Sequence, residues 1–172
     1  MKIILEEYTN PENLGKYAGI CYGIISVGHL SVLRFGYAVF KVENISRVCL
    51  AQFTRSKHLD YLVHSSRYCD ESDCNFVWPE SLQKEEFTSI IKKFEDLSSE
   101  FYKQIKIAGI KSQDARFVLP QAQATELYVV GNYQAWKDFI KLRATAHAQE
   151  EVREIAFEIE RQLQEVAPII FK

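Results

Sequence analysis

Apolar residues recur at steps of three and four across positions 83–108: Phe87, Ile90, Ile91, Phe94, Leu97, Phe101, Tyr102 and Ile105. That spacing is one stripe of an α-helix. It predicts a long helix with the stripe against a core and its lysines and glutamates outside. Gly109 is the expected stop. A second stripe, Val152, Ile155, Ile159, Leu163 and Val166, predicts a helix from about Ala148 to Val166, ended by Pro168. YQAWKDFIKL reads as a helix, and so does PENLGKYAGICYG, whose proline sits where a missing N–H costs little. Aromatic and β-branched content predicts strands at KIILEEY, at FGYAVFKVE (35–43) and at TELYVVG (125–131). NISRVCLAQFTR reads as a helix ending near Arg55, with Asn44 or Ser46 as its cap. Long helices around few strands predict an α+β domain, taken as one unit over 1–172.

Composition narrows the function classes. The chain has 172 residues, 47% apolar and 26% charged, which is ordinary for a globular protein with a real core. A net charge of −2 supplies no basic field, so no nucleic-acid partner is expected. No apolar run approaches the length that spans a bilayer, so no membrane partner is expected either. The start, MKIILEEYTNPENL, brings acids soon after a short apolar run, which is not a secretory signal. The expected location is the cytoplasm, or a host cytoplasm if the gene is viral. Four cysteines are present. Cys21 and Cys49 lie among apolar residues and read as small buried hydrophobes. Cys69 and Cys74 stand beside three acids, but their spacing matches no zinc-ligand pattern, and no metal is expected.

Arg55, Arg67, Arg116 and Arg143 each close or follow an apolar segment rather than lying on a charged face. A guanidinium is planar, permanently charged and able to grip a phosphate with two parallel hydrogen bonds. The competing use is structural, pairing with helix C-terminal carbonyls or with acids. The wider sequence bears on the choice. RSKHLDYLVHSSRY (55–68) resembles the signature of the flavin-dependent thymidylate synthases (ThyX), with Arg55, Ser65, Arg67 and Tyr68 at matching spacing. GHLSVL (28–33) is similar to that family's Gly-His-x-Ser segment. ISRVCLAQFTR is similar to its helix before the signature, and AGIKSQDARFVLP (108–120) to its AR-x-VLP element. NYQAWKDFIKLRATAHAQEEVREIA (132–156) resembles its C-terminal block. The blocks fall in family order and cover most of the chain.

The resemblance implies a mixed α/β fold with long helices around a small sheet, assembled as a homotetramer with active sites at subunit interfaces. It implies conversion of the pyrimidine deoxynucleotide deoxyuridylate (dUMP) to thymidylate. Methylenetetrahydrofolate would supply the carbon, NADPH the reducing power and FAD the hydride. No cysteine nucleophile is implied. On the nucleotide side, Gln52, Arg55, Ser65, Ser66, Arg67 and Arg116 match contact positions. Arg143 matches the arginine that contacts and polarises the pyrimidine and is the expected catalytic residue. A fixed positive charge there would stabilise negative charge developing on the ring.

On the flavin side, His29, Ser31, Asn132 and His147 match, and Lys57 and His58 fall in the expected cofactor-binding segment. Other positions depart from the pattern. The family's Arg-His-Arg is Arg55-Ser56-Lys57, its next Ser is Asp60, and its Asn-Glu is Leu62-Val63. Arg34 stands where a glutamate is common, and Gln134 and Asp138 replace an Arg and an Asn. His64 also lies where the family does not usually place histidine. The nucleotide half is kept and the flavin half rewritten. Beside a working synthase, that asymmetry leaves two alternatives: a paralogue doing altered one-carbon chemistry such as hydroxymethylation, or a non-catalytic nucleotide-binding partner subunit.

Overall fold

A computed structural model describes residues 1–22 and 30–172 of the chain. Four antiparallel strands form one sheet in the order β1-β2-β4-β3: β1 (Lys2–Tyr8), β2 (Tyr37–Ser46), β3 (Leu59–Val63) and β4 (Ala124–Asn132). The helices are α1 (Pro11–Tyr22), α2 (Arg47–Phe53), α3 (Glu85–Ile107), the single turn α4 (Ser112–Ala115), α5 (Tyr133–Arg143) and α6 (Glu150–Val166). The α+β architecture expected from the apolar pattern is the one observed.

Alternation in the two inner strands builds the core. Ala38, Phe40, Val42 and Ile45 of β2, and Leu127 and Val129 of β4, are buried on one face. Trp136 and Phe139 of α5 and Val152, Ile155, Ile159 and Leu163 of α6 cover that face. Trp136 stacks edge-on against Phe40 with centroids 5.0 Å apart, and its Nε1 donates to Ala38 O at 3.1 Å. The indole is thus buried without leaving its N–H unpaired. Asn132 ends β4 and caps α5, its Oδ1 accepting from Ala135 N at 2.9 Å, so strand and helix join without a loop.

Three expectations need correction. The helix expected over 44–55 starts later, because β2 runs on to Ser46 through a register shift between Val42 and Ile45. Asn44 takes φ 58 in that irregularity, a conformation asparagine tolerates, and so it does not cap the helix. Ser46 is the cap: its Oγ accepts from Cys49 N at 2.9 Å. The Glu151 carboxylate of α6 accepts from Ser46 N and Ser46 Oγ, both at 2.6 Å, which fastens the start of α2 to α6. Second, β3 lies inside the 55–68 stretch, where the pattern predicted no element. It is a short edge strand with Asp60 and exposed Leu62 between its inward residues, which blurs the alternation. Third, α3 forms as expected and ends at Gly109 with φ 82, but its stripe does not face the core. Only Tyr102 and Ser98 of α3 are buried, while Ile90 is 65% and Leu97 70% exposed.

Candidate active site

The first turn of α2 is laced to the segment that follows α4. Arg47 N donates to Gln123 O at 3.1 Å and Val48 N to Gln121 O at 3.3 Å. These bonds use amides that a helix start leaves without intrahelical partners. Beside them opens a pocket of about 320 Å³ lined by Arg47, Ser66, Arg116, Gln121 and Gln123, with Phe117, Leu119 and Pro120 as its apolar wall. Behind its wall, Arg47 Nη2 and Gln123 Nε2 are buried donors with no partner. Arg47 is held in place by donating from Nε to Gln123 Oε1 at 3.2 Å. Arg116 donates from Nε to Gln113 O at 3.1 Å, which leaves its terminal nitrogens for other acceptors. Ser66 is 3% exposed. Two arginines, further donors and no lining carboxylate suit the pocket to an anion.

A second cluster occupies the other end of α2. At 1.5 Å per residue, Gln52 lies roughly 7–8 Å along the axis from Arg47. Arg143, in the last turn of α5, donates from Nη2 to Gln52 O at 3.0 Å, and its buried Nε has no partner. Tyr61 of β3 donates to Phe53 O at 2.9 Å. Burial pushes the Tyr61 phenol up to about 12, against the lowering effect of the Arg143 charge. Ser56 is itself buried, its Oγ without a partner. Burial likewise pushes the Cys49 thiol up, so it stays protonated and unreactive.

The other expected positions scatter around these clusters. Arg55, Lys57 and His58 are exposed in the turn between α2 and β3, where His58 takes φ 66. Arg67 is exposed beside Tyr68, its guanidinium carbon 5.2 Å from the ring centre. Ser65 is half-buried, and its carbonyl accepts from Tyr68 N at 3.0 Å and Cys69 N at 2.9 Å. Ser31 is exposed in the 3-10 turn Leu30–Arg34, and His147 is exposed between α5 and α6. The Asn132 side chain is engaged in the α5 cap. His29 lies outside the described residues. The structure therefore brings Ser66 to Arg116 and Gln52 to Arg143. It adds three residues that sequence reasoning missed: Arg47, Gln123 and Tyr61. Arg47 carried a signal, a lone cation opening the apolar run VCLAQF.

This geometry defines an α+β protein with a small cationic pocket suited to a phosphorylated ligand. Comparison with known proteins makes the assignment specific. The family model described as "Thymidylate synthase complementing protein" matches residues 3–169. The flavin-dependent thymidylate synthase of Mycobacteroides abscessus is 37% identical over 164 residues, covering 86% of this chain and 66% of that protein. The enzyme so named in Mycobacterium avium is 38% identical over 170 residues, covering 90% and 68%. The chain thus spans about two thirds of the length of these curated relatives. The solved structure of thymidylate synthase X (ThyX) from Helicobacter pylori with FAD and dUMP superposes with a TM-score of 0.84 at 18% identity, covering 100% of this chain and 98% of that one. A second Helicobacter pylori ThyX complex gives 0.76 at 20% identity. The chain belongs to the flavin-dependent thymidylate synthase family. Among the described residues no helix is long and apolar enough to cross a membrane.

Proposed function

We propose that this chain is a flavin-dependent thymidylate synthase, methylating dUMP to thymidylate in the cytoplasm with methylenetetrahydrofolate, NADPH and FAD. The observation that carries the reading is the anion pocket at the start of α2. Two arginines and further donors in a wall without a carboxylate are the partners that a doubly charged phosphate needs. Arg47, Ser66 and Arg116 would hold the nucleotide phosphate there. At the far end of α2, the Gln52 carbonyl orients Arg143, so that its charge meets the negative charge developing on the pyrimidine carbonyls. Gln52, Arg55, Ser65 and Arg67 lie around these two points and complete the proposed nucleotide contacts.

FAD, when bound, supplies the hydride. The exposed cations Arg34, Arg55 and Lys57 are of the charge that its diphosphate needs, and Ser31, His58, Asn132 and His147 are the further positions proposed to contact it. Arg34, the 55–58 turn and His147 stand on separate exposed segments of one chain. That arrangement suits a site completed by a second subunit, and we include homotetrameric assembly in the proposal. The α3 face supports it, because Ile90, Phe94, Leu97 and Phe101 form an exposed apolar stripe with Phe117, 85% exposed, beyond it. The altered one-carbon enzyme and the non-catalytic partner are not favoured, since the matched relatives at 35–38% identity are named as synthases. The test is an absorption spectrum of the purified protein with FAD before and after dUMP, followed by product analysis. A stoichiometric flavin band that responds to dUMP, together with thymidylate formation, is the expected result. Absence of both refutes the reading.

A further inference from the structure

The geometry points to His64 and Glu71 as a positioning pair that sets the turn carrying Ser65, Ser66 and Arg67, of which Ser66 lines the anion pocket. This rests on the reading of that pocket as the nucleotide phosphate site. His64 follows the last residue of β3, and its backbone N still donates to Glu126 O of β4 at 2.9 Å. The next three residues leave the sheet in a turn closed on the Ser65 carbonyl. The segment is caught again at Glu71, whose N donates to Tyr102 Oη at 3.2 Å and whose O accepts from Cys74 N at 3.2 Å. Tyr102 is fully buried on α3. Between these anchors, His64 Nε2 lies 3.0 Å from Glu71 Oε1.

The Glu71 residue is only 6% exposed. A carboxylate that buried is stable only with a donor beside it, and His64 is the side chain that supplies one. The pair therefore closes the eight-residue span 64–71, which holds the pocket-lining Ser66. His64 acts through this closure and not by touching the phosphate. Its side chain lines a different cavity, walled by Glu43, Glu71, Asp73 and Glu126, and is absent from the wall of the anion pocket. Position 64 is thus a place where this chain has installed its own brace for a shared binding turn.

The experiment compares His64→Ala, His64→Gln and Glu71→Gln by calorimetric titration with dUMP and by steady-state kinetics. Losing the donor leaves Glu71 buried and unpaired, and the turn opens to hydrate it. For His64→Ala the dUMP Kd and KM are expected to rise by about tenfold or more, with kcat at saturating dUMP near wild type. His64→Gln retains an amide donor and is expected to recover most of that loss. Glu71→Gln retains an acceptor and is expected to bind within about threefold of wild type. Hydrogen exchange is read in parallel: the Tyr68 and Cys69 amides should lose protection in His64→Ala and keep it in His64→Gln. An unchanged Kd in folded His64→Ala overturns the inference, as does His64→Gln failing as badly as alanine. If His64→Ala does not fold, the Gln variants and their exchange patterns decide the matter. If the wild type binds no dUMP, the proposed function fails instead, and the exchange comparison still tests the pair.

Discussion

Replacing Arg47 by methionine separates binding from folding at the anion pocket. In the free protein, Nε donates to Gln123 Oε1 while Nη2 is buried without a partner. Deleting the guanidinium removes that unpartnered donor, a relief of about 1–3 kcal/mol. It also strips Gln123 Oε1 of its donor, and Gln123 is 2% exposed, so a penalty of about the same size returns. The two nearly cancel. The melting midpoint should then move by less than about 4 °C, the shift that ~1 kcal/mol produces in a chain of this size. Binding has no such cancellation. A charge-assisted hydrogen bond to phosphate contributes about 1.5–3 kcal/mol, so the Kd for dUMP should rise about 10- to 150-fold. Titration and scanning calorimetry on the same preparations read both quantities. An unchanged Kd with a midpoint more than about 8 °C lower would show that Arg47 serves the fold and not the ligand, and would refute the reasoning.

Two further outcomes follow from packing and burial. Gly36→Ala would place a Cβ 2.6 Å from Cδ2 of Tyr133, a fully buried ring whose hydroxyl is bonded to Thr9 O; thermal unfolding should show a loss of about 1–3 kcal/mol, and an unchanged midpoint would contradict the close packing. Burial pushes the Tyr61 and Tyr133 phenols up to about 12, so between their ordinary value near 10 and that value the unfolded chain releases protons that the folded chain keeps. Stability should therefore fall as pH rises through that window, and urea midpoints of Tyr61→Phe should fall less steeply than wild type; parallel curves would count against the burial effect.

The parts of the fold legible in the sequence were those whose burial follows a period within the chain itself. Helices α5 and α6 and strands β2 and β4 bury their repeating residues against one another, so pattern and structure coincide. β3 was missed because an edge strand need bury only alternate residues, and exposed Leu62 masks which ones. The α3 stripe was read correctly as a helix and wrongly as core, since periodicity reports an apolar face and not what covers it. In the candidate site, matched motifs pointed to Ser66, Arg116, Gln52 and Arg143, which the structure joins in two pairs. Arg47 was passed over because its pocket depends on Gln123, a partner 76 residues away that no local pattern connects to it.

The central pairing of β2 with β4 joins residues roughly eighty to ninety-five positions apart, from Ser46 with Ala124 to Tyr37 with Asn132. Within that span, the excursion from 64 to 123 leaves the sheet after β3 and returns at β4. It carries Ser65, Ser66, Arg67 and Arg116, while β3 and β4 on either side of it pair in one unbroken register. The entropy of closing such a loop grows only logarithmically with length, about 0.6 kcal/mol for each doubling. Exposed turns of the excursion can gain or lose residues at little thermodynamic cost, provided that its anchors still form: Ala124 N to Asn75 O, Arg47 N to Gln123 O and Glu71 N to Tyr102 Oη. The architecture thus sets apart a frame intolerant of length change and an excursion whose exposed turns are free to drift in size, so that the candidate site can be remodelled by insertion and deletion while the sheet beneath it stays constant.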